Sequence, residues 1–350
     1  MNEILINGKK IGKKSPIFLI AEAGINHNGD ILLAKKLIDI AANAEVDAIK
    51  FQTFKTENVF LSSTPKVEYQ RISEEDSETF NEMAKKFEFS RETFKELKNY
   101  CDQKNIIFLS TPYDKTSVDW LKELKVTAYK ISSGDMNNFP LLKYICSKKK
   151  PILLSTGMAT LEEVKETIQF LESNNANNIV IFQCTTNYPS NYEELNLNVI
   201  NTYLKEFPNY IIGFSDHSLG IEASIGAAAK GAKIIEKHFT VDKNLEGPDH
   251  SASLNPEELI QWVKGIRIIE KALGEYKKEP SKVEKDISKI VRRSIISLVD
   301  LKKGEYIKEK HIGAKRPATG ISPNFFYRII GKKVKRDINK DSIINWDDLE

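Results

Sequence analysis

Cysteine is scarce in this 350-residue chain, and the three present, Cys101, Cys146 and Cys184, lie far apart. That excludes a disulfide framework and a CxxC metal knuckle, and leaves reduced thiols as the reading. Long apolar runs are missing too. None approaches the roughly 20 residues of a membrane span, and the opening MNEILINGKKIGKKSP has no apolar core of a secretory leader. A cytoplasmic location without membrane contact is expected. Charge of one sign is also missing: 52 basic against 49 acidic residues leave +3, which is no nucleic-acid signature. The late cluster Lys332, Lys333, Lys335 and Arg336 reads as solvated surface rather than a polyanion site. Finally, the turn after the first buried run reads AGINHNGD. It lacks the GxGxxG of a dinucleotide-binding open sheet.

What is present is an alternation. Apolar residues make up 41% of the chain, enough for a large core. Short apolar runs occur at Phe18–Ala23, Ala48–Gln52, Ile106–Ser110, Ala128–Ile131, Ile152–Ser155, Ile179–Gln183, Ile211–Ser215 and Ile234–His238. Amphipathic stretches such as Leu32–Ala44, Thr93–Gln103, Leu161–Glu172, Ile221–Ala229 and Pro256–Leu273 separate or follow them. Strands buried on both faces and joined by helices make a parallel sheet. Eight such units predict a closed (β/α)8 TIM barrel over 1–280. The connection from Thr53 to Ser90, with its acidic SEEDSE, is long enough for a surface excursion or partial lid. After Gly274 the texture changes to a charged linker, a strand at Ser294–Val299 and the turn-rich KRPATGISP, so 281–350 reads as linker and small C-terminal domain.

Barrel chemistry sits at the C-terminal ends of the strands. Four of the five histidines, His27, His217, His238 and His250, fall after the first, seventh and eighth strands. His217 and His238 are 21 residues apart, one strand–helix unit. They therefore stand side by side at the mouth, able to share a cation or, alternatively, to bond neighbouring loops. Imidazoles suit Mn, Fe, Co, Ni or Zn better than Mg. Lys50, Lys130, Ser133, Ser155 and Ser215 converge on the same mouth, the donors and positive charge that a phosphate dianion requires. The lesser alternatives for a strand-end lysine are a Schiff-base former or a partner for Glu22 or Asp135. Those two carboxylates suit acid/base or water-orienting work, or a structural role. Asp249 suits either sugar hydroxyls or a turn.

The ordered motifs AEAGINHNGD, VDAIKFQTF, FLSTPYD, YKISSGD, ILLSTGMAT, GFSDHSLG, IIEKHFT and GPDHSAS resemble those of the sialic acid synthases, and KRPATGISP resembles their C-terminal SAF, or antifreeze-like, domain. The resemblance spans nearly the whole chain. It implies condensation of phosphoenolpyruvate with N-acetylmannosamine and water, giving N-acetylneuraminate and phosphate; the alternative is a legionaminate synthase using 2,4-diacetamido-2,4,6-trideoxymannose. It implies His217 and His238 as ligands of a divalent metal, Mn2+ first, with Mg2+ or Co2+ as alternatives. Lys50, Lys130, Ser133, Ser155, Thr186 and Ser215 would hold phosphoenolpyruvate. Gln52, Tyr188, Asp249 and Arg316 would contact the sugar, and Glu22 and Asp135 would be the catalytic carboxylates. The implied partner is a second copy, in a domain-swapped homodimer whose Arg316 enters the neighbouring site.

Two departures bear on the sugar: Asp135 stands where many members have Glu, and KRPATG replaces the more usual KRPGNG. AEAGINH differs from the AELSANH-type start of pseudaminate synthases. Outside this class, a non-catalytic carbohydrate-binding or ice-binding protein gives no reason for so many charged strand ends. A metal-dependent aldolase or isomerase gives none for the lysine–serine cluster.

Overall fold

The computed structural model of the protein describes residues 3–66 and 79–350, so SEEDSE at 73–78 lies outside the described residues. The chain divides into two compact units, Met1–Gly274 and Glu275–Glu350. No helix among the described residues is long and apolar enough to cross a membrane.

The first unit opens with a hairpin, β1 (Ile4–Ile6) and β2 (Lys9–Ile11), paired antiparallel. Its turn is Asn7-Gly8, with φ of 48° and 78°, the left-handed pair that a two-residue hairpin turn demands. Eight parallel strands follow: β3 (Phe18–Gly24), β4 (Ala48–Thr53), β5 (Ile107–Pro112), β6 (Tyr129–Ile131), β7 (Ile152–Ser155), β8 (Ile179–Cys184), β9 (Ile211–Asp216) and β10 (Ile234–His238). Their hydrogen-bonded order is β5-β4-β3-β10-β9-β8-β7-β6. The last strand thus pairs with the first, and β5 lies against β6 to complete the barrel. Each strand starts or ends within two residues of its sequence-predicted limits.

Helices alternate with the strands, all but the short α2 and α3 covering the outside: α1 (Ile31–Asn43), α2 (Thr56–Val59), α3 (Phe80–Phe87), α4 (Arg91–Gln103), α5 (Lys115–Glu123), α6 (Phe139–Cys146), α7 (Leu161–Ser173), α8 (Asn198–Glu206), α9 (Glu222–Lys230) and α10 (Pro256–Leu273). Their starts follow capping chemistry. Asp30 accepts from Leu32 N, and Thr160–Glu163 and Asn255–Glu258 form reciprocal capping boxes. The excursion between Thr53 and Ser90 contains α2 and α3, which sequence patterning had not separated.

Two apolar layers hold the barrel. The outer one packs strands against helices. The inner one fills the lumen with residues such as Phe18, Ile107, Leu153, Phe182 and Ile234, and the hairpin adds Ile4, Ile6 and Ile11 to it. Each fully buried aliphatic side chain is worth roughly 1.5–3 kcal/mol, so the hairpin stabilises the floor and leaves the mouth open. The second unit comprises α11 (Lys282–Val291), β11 (Ser294–Ser297), β12 (Ile312–Lys315) and α12 (Phe326–Ile329), with β11 and β12 antiparallel. Its core includes Ile295, Leu301, Ile312, Val334 and Ile344.

Candidate active site

The strand ends enclose one cavity of about 400 Å³. Twelve predicted site residues line it: Glu22, Lys50, Gln52, Lys130, Ser133, Ser155, Thr186, Tyr188, Ser215, His217, His238 and Asp249. They arrive from β3, β4 and β6–β10 or the turns after them, because successive parallel strands all point their C-terminal ends the same way.

The floor is ionic. Lys50 Nζ lies 2.8 Å from Glu22 Oε2 and donates to Thr111 Oγ1 at 3.0 Å. Lys50 and Lys130 each stand 3.7 Å from Glu236 Oε1, which also accepts from Ser215 Oγ at 3.1 Å. Lys130 Nζ donates to Ser155 Oγ at 2.5 Å. All four charges are buried, so each depends on the others to remain ionised. Burial, offset by Lys50 and reinforced by Glu236, pushes the Glu22 carboxyl up to about 7. Burial also acts on Glu236, but the attraction of Lys130 and Lys50 outweighs it and holds that carboxylate low. Lys50 rises, because Glu22 and Glu236 more than offset its burial. A firmly protonated Lys50 suits an anion rather than a Schiff base. Lys130 is shifted down by burial.

Backbone irregularities place two walls of this cavity. Opposite Lys50 and Phe51, β3 shifts register between Glu22 and Gly24, a bulge of the kind that re-aims a side chain. Gly24 there has φ of 52°. Across the mouth, a Cβ on Gly157 would fall 2.1 Å from Thr186 Oγ1 and 2.8 Å from Ser133 Oγ. Only glycine allows that approach, and Gly157 N donates to Ser133 Oγ at 2.9 Å.

The histidine pair occupies the adjoining side. The rings of His217 and His238 are 5.4 Å apart between centroids and inclined by 63°. Tyr188 stands 4.0 Å from the first and 5.5 Å from the second. His217 Nδ1 must donate to the Thr185 carbonyl at 2.7 Å, which leaves the Nε2 lone pair for another partner when the ring is neutral. Burial opposes the imidazolium of His217, but Cys184, the Thr185 carbonyl and Glu236 raise its pKa overall. His238 is held well below the ordinary range by burial and by His217. Its Nδ1 is buried without a hydrogen-bond partner, 3.7 Å from Asp249 Oδ2. Among the described residues no third His, Cys, Asp or Glu completes a ready-made metal set. The orphaned nitrogen beside a basic imidazole fits a cation that takes its remaining ligands from substrate or water.

Two predicted residues are not among those that line the cavity. The Asp135 carboxylate accepts from Ser132 Oγ at 2.8 Å and Asn138 Nδ2 at 3.0 Å, tying the turn after β6, and does not line the cavity. Arg316 follows β12 in the second unit and is exposed. Nor do all the gathered histidines face the cavity. His27 stacks on Phe89 at 4.0 Å, and His250 is bonded by Thr240 at 2.6 Å and Asn28 at 3.1 Å.

Sequence reasoning gave Glu236 no role, although strand alternation would have done so. If His238 points inward, Glu236 does too, and Lys237 points outward. Thr111, a strand-end residue, was likewise given no role, and Cys184 and an apolar wall of Phe54, Phe60, Phe80, Met83, Ala84 and Phe87 were missed.

A family model described as the NeuB family matches residues 37–278, and one for the SAF domain matches 292–350. The N,N'-diacetyllegionaminic acid synthase of Campylobacter jejuni is 44% identical over 328 residues, covering 93% of this chain and 98% of that protein. The Legionella pneumophila protein of the same name is 41% identical over 350 residues, covering 99% and 98%. The crystal structure of an N-acetylneuraminic acid synthetase from Leptospira borgpetersenii superposes with a TM-score of 0.73 at 37% identity, covering 82% of this chain and 95% of that one.

Proposed function

The chain belongs to the NeuB family and carries a SAF domain, and from that premise we propose that it condenses phosphoenolpyruvate with an N-acylamino hexose and water. The products are a nonulosonate of the sialic or legionaminic acid class and inorganic phosphate. One observation carries the reading: two buried ammonium groups and a histidine pair share a single cavity.

Lys50 and Lys130, with hydroxyls from Ser133, Ser155, Thr186 and Ser215, supply the charge and donors for phosphoenolpyruvate. Gln52, Tyr188 and Asp249 flank the remaining space and would orient the sugar. His217 and His238 would hold a divalent cation, with Mn2+ first and Mg2+ or Co2+ as alternatives; when bound, it acts as a Lewis acid toward the sugar aldehyde. C3 of phosphoenolpyruvate bonds to the aldehyde carbon as the carbonyl π pair moves onto oxygen, which takes up a proton to become a hydroxyl, and C2 of phosphoenolpyruvate becomes electron-deficient. Water adds at C2, and Glu22, whose carboxyl lies near pH 7, accepts the proton it sheds. The C2–O bond to phosphate breaks as the ketone forms. Glu236 holds both lysines in place. Asp135 acts through the turn that carries Ser133.

Phosphate release should require phosphoenolpyruvate, an acylamino sugar and a divalent cation together. With bridging oxygen labelled in phosphoenolpyruvate, the label should leave in phosphate. Absence of release with N-acetylmannosamine and with 2,4-diacetamido-2,4,6-trideoxymannose, using metal-supplemented protein, would refute the assignment.

We further propose a domain-swapped homodimer, in which Arg316 of one copy contacts sugar in the other. On α11 the apolar side chains Val283, Ile287 and Ile290 are exposed at four- and three-residue spacing, a stripe suited to a second chain. Mixing inactive His238→Ala and Arg316→Ala chains should restore activity in verified mixed dimers; no recovery would reject the exchange.

A further inference from the structure

One side of the cavity offers no charge, and the condensation gives it no role. Helix α3 places Phe80, Met83, Ala84 and Phe87 on one face by their three- and four-residue spacing. That face meets Phe54, which follows β4, and Phe60, which ends α2. The Phe60 and Phe80 rings are 4.4 Å apart, and Phe54 lies 6.4 Å from Phe60. These side chains pack together and also line the cavity that contains Lys50 and the histidine pair.

Position around the barrel separates the tasks. The hydroxyls proposed for phosphate come mainly from β6–β8 and the turns after them, joined by Ser215 of β9 and the Lys50 ammonium of β4, while His217 follows β9 and His238 ends β10. The apolar wall belongs to β4 and the α2–α3 excursion, beyond Gln52. A sugar whose aldehyde carbon meets the histidines, with phosphoenolpyruvate on the β6–β8 side, must lay its remote end toward that wall. A hydroxyl there exchanges water for carbon and loses its hydrogen bonds, whereas a methyl gains by leaving water.

We propose that this wall is the specificity determinant for the remote end of the sugar, selecting a 4-acylamino-6-deoxy hexose over one with hydroxyls at C4 and C6. The proposal rests on the condensation above. It assigns the acetamido methyl and the C6 methyl to the wall, with Phe60 and Phe80 as their principal contacts.

The test compares kcat/KM for 2,4-diacetamido-2,4,6-trideoxymannose and N-acetylmannosamine. The diacetamido sugar should be favoured by about 100-fold, the scale on which pockets discriminate such groups. Phe80→Asn, and independently Phe60→Asn, should cut that ratio at least about tenfold, mainly through the KM of the diacetamido sugar. Phe80→Leu should retain the preference. Equal kcat/KM for the two sugars in the unaltered protein overturns the proposal and leaves the condensation standing. If neither sugar releases phosphate, the condensation has failed, and binding alone decides the wall. Saturating aromatic protein protons should then transfer magnetisation to the C6 and acetamido methyls, and Phe80→Asn should weaken that transfer. No methyl transfer to the unaltered protein also overturns the proposal.

Discussion

Two buried ionic groups meet at β10, one facing the barrel mouth and one facing the helices. On the inward side, Glu236 meets Lys50 and Lys130. On the outward side, Lys237 Nζ lies 2.9 Å from Asp216 Oδ2. Their saturation differs. Asp216 also accepts from Ser218 N, Ser218 Oγ and Ser224 Oγ, and Lys237 donates to the Ser218 carbonyl at 2.7 Å. Inside, Glu236 Oε2 and His238 Nδ1 have no hydrogen-bond partner among the described residues. A structural ion pair consumes its bonding capacity, whereas a site keeps some open for a ligand. Neighbouring residues with similar charges thus serve different ends because strand alternation sends them to opposite faces.

The sharpest way to break the comparison is to neutralise one member on each side. Glu236→Gln should reduce kcat about 10³-fold, the scale of a positioned catalytic charge, because both lysines lose their shared anchor. Unfolding free energy should fall only moderately: both lysines lose a counter-charge, but Lys50 keeps Glu22, Lys130 keeps the Ser155 hydroxyl, and both line the cavity. A variant with near-normal kcat would remove Glu236 from the site. Asp216→Ala should do the reverse. It leaves the Lys237 ammonium buried without its carboxylate, a loss of about 3–5 kcal/mol in unfolding free energy. Activity per folded molecule should fall less than in Glu236→Gln. Unchanged stability would show that the outward pair does not hold the barrel.

Gly157 sharpens the distinction at the phosphate side. An added Cβ must displace Thr186 or Ser133, given the 2.1 Å and 2.8 Å approaches. Gly157→Ala should therefore raise the KM for phosphoenolpyruvate about tenfold. Adding Thr186→Ser should not relieve that effect, because the hydroxyl remains. Thr186→Ala with Gly157→Ala should relieve part of it, measured by the double-mutant cycle.

The contrast between site and scaffold was only partly legible in the sequence. Strand limits were readable because parallel strands buried on both faces appear as apolar runs, and Ile234–His238 is found as expected. The hairpin at Ile4–Ile11 carried its signal in Asn7-Gly8, but its three-residue strands are too short for a clear alternation. Most residues converging on the mouth followed from strand ends, whereas Asp249 lies in the loop after β10 and rested on the family resemblance. Asp135 could not be sorted that way, because a side chain in a turn points where its local bonds hold it, here to Ser132 and Asn138. The apolar wall depended on α3, whose four inward residues have meaning only once the excursion is known to fold back over the mouth.

His27 gives the smallest expected effect and tests the same distinction near the mouth. It resembles His217 and His238 in sequence position, yet it is bonded as scaffold. Gly29 N donates to its Nδ1 at 3.1 Å, and its ring stacks on Phe89. Burial, followed by repulsion from His250, lowers its pKa to about 3. An unfolded chain binds that proton near pH 6.5, so between these values the unfolded state holds a proton that the folded state refuses. Stability contributed by the neutral ring is therefore intact above pH 6.5 and declines as pH falls toward 3. The decline attributable to His27 cannot exceed about 1.4 kcal/mol per pH unit. His27→Asn keeps a side-chain acceptor for Gly29 but does not titrate. Its unfolding free energy should run parallel to that of the unaltered protein above pH 6.5 and fall less steeply between pH 6 and pH 4. Parallel curves throughout would mean that His27 accepts a proton without unfolding, which would remove it from the scaffold and return it to the mouth.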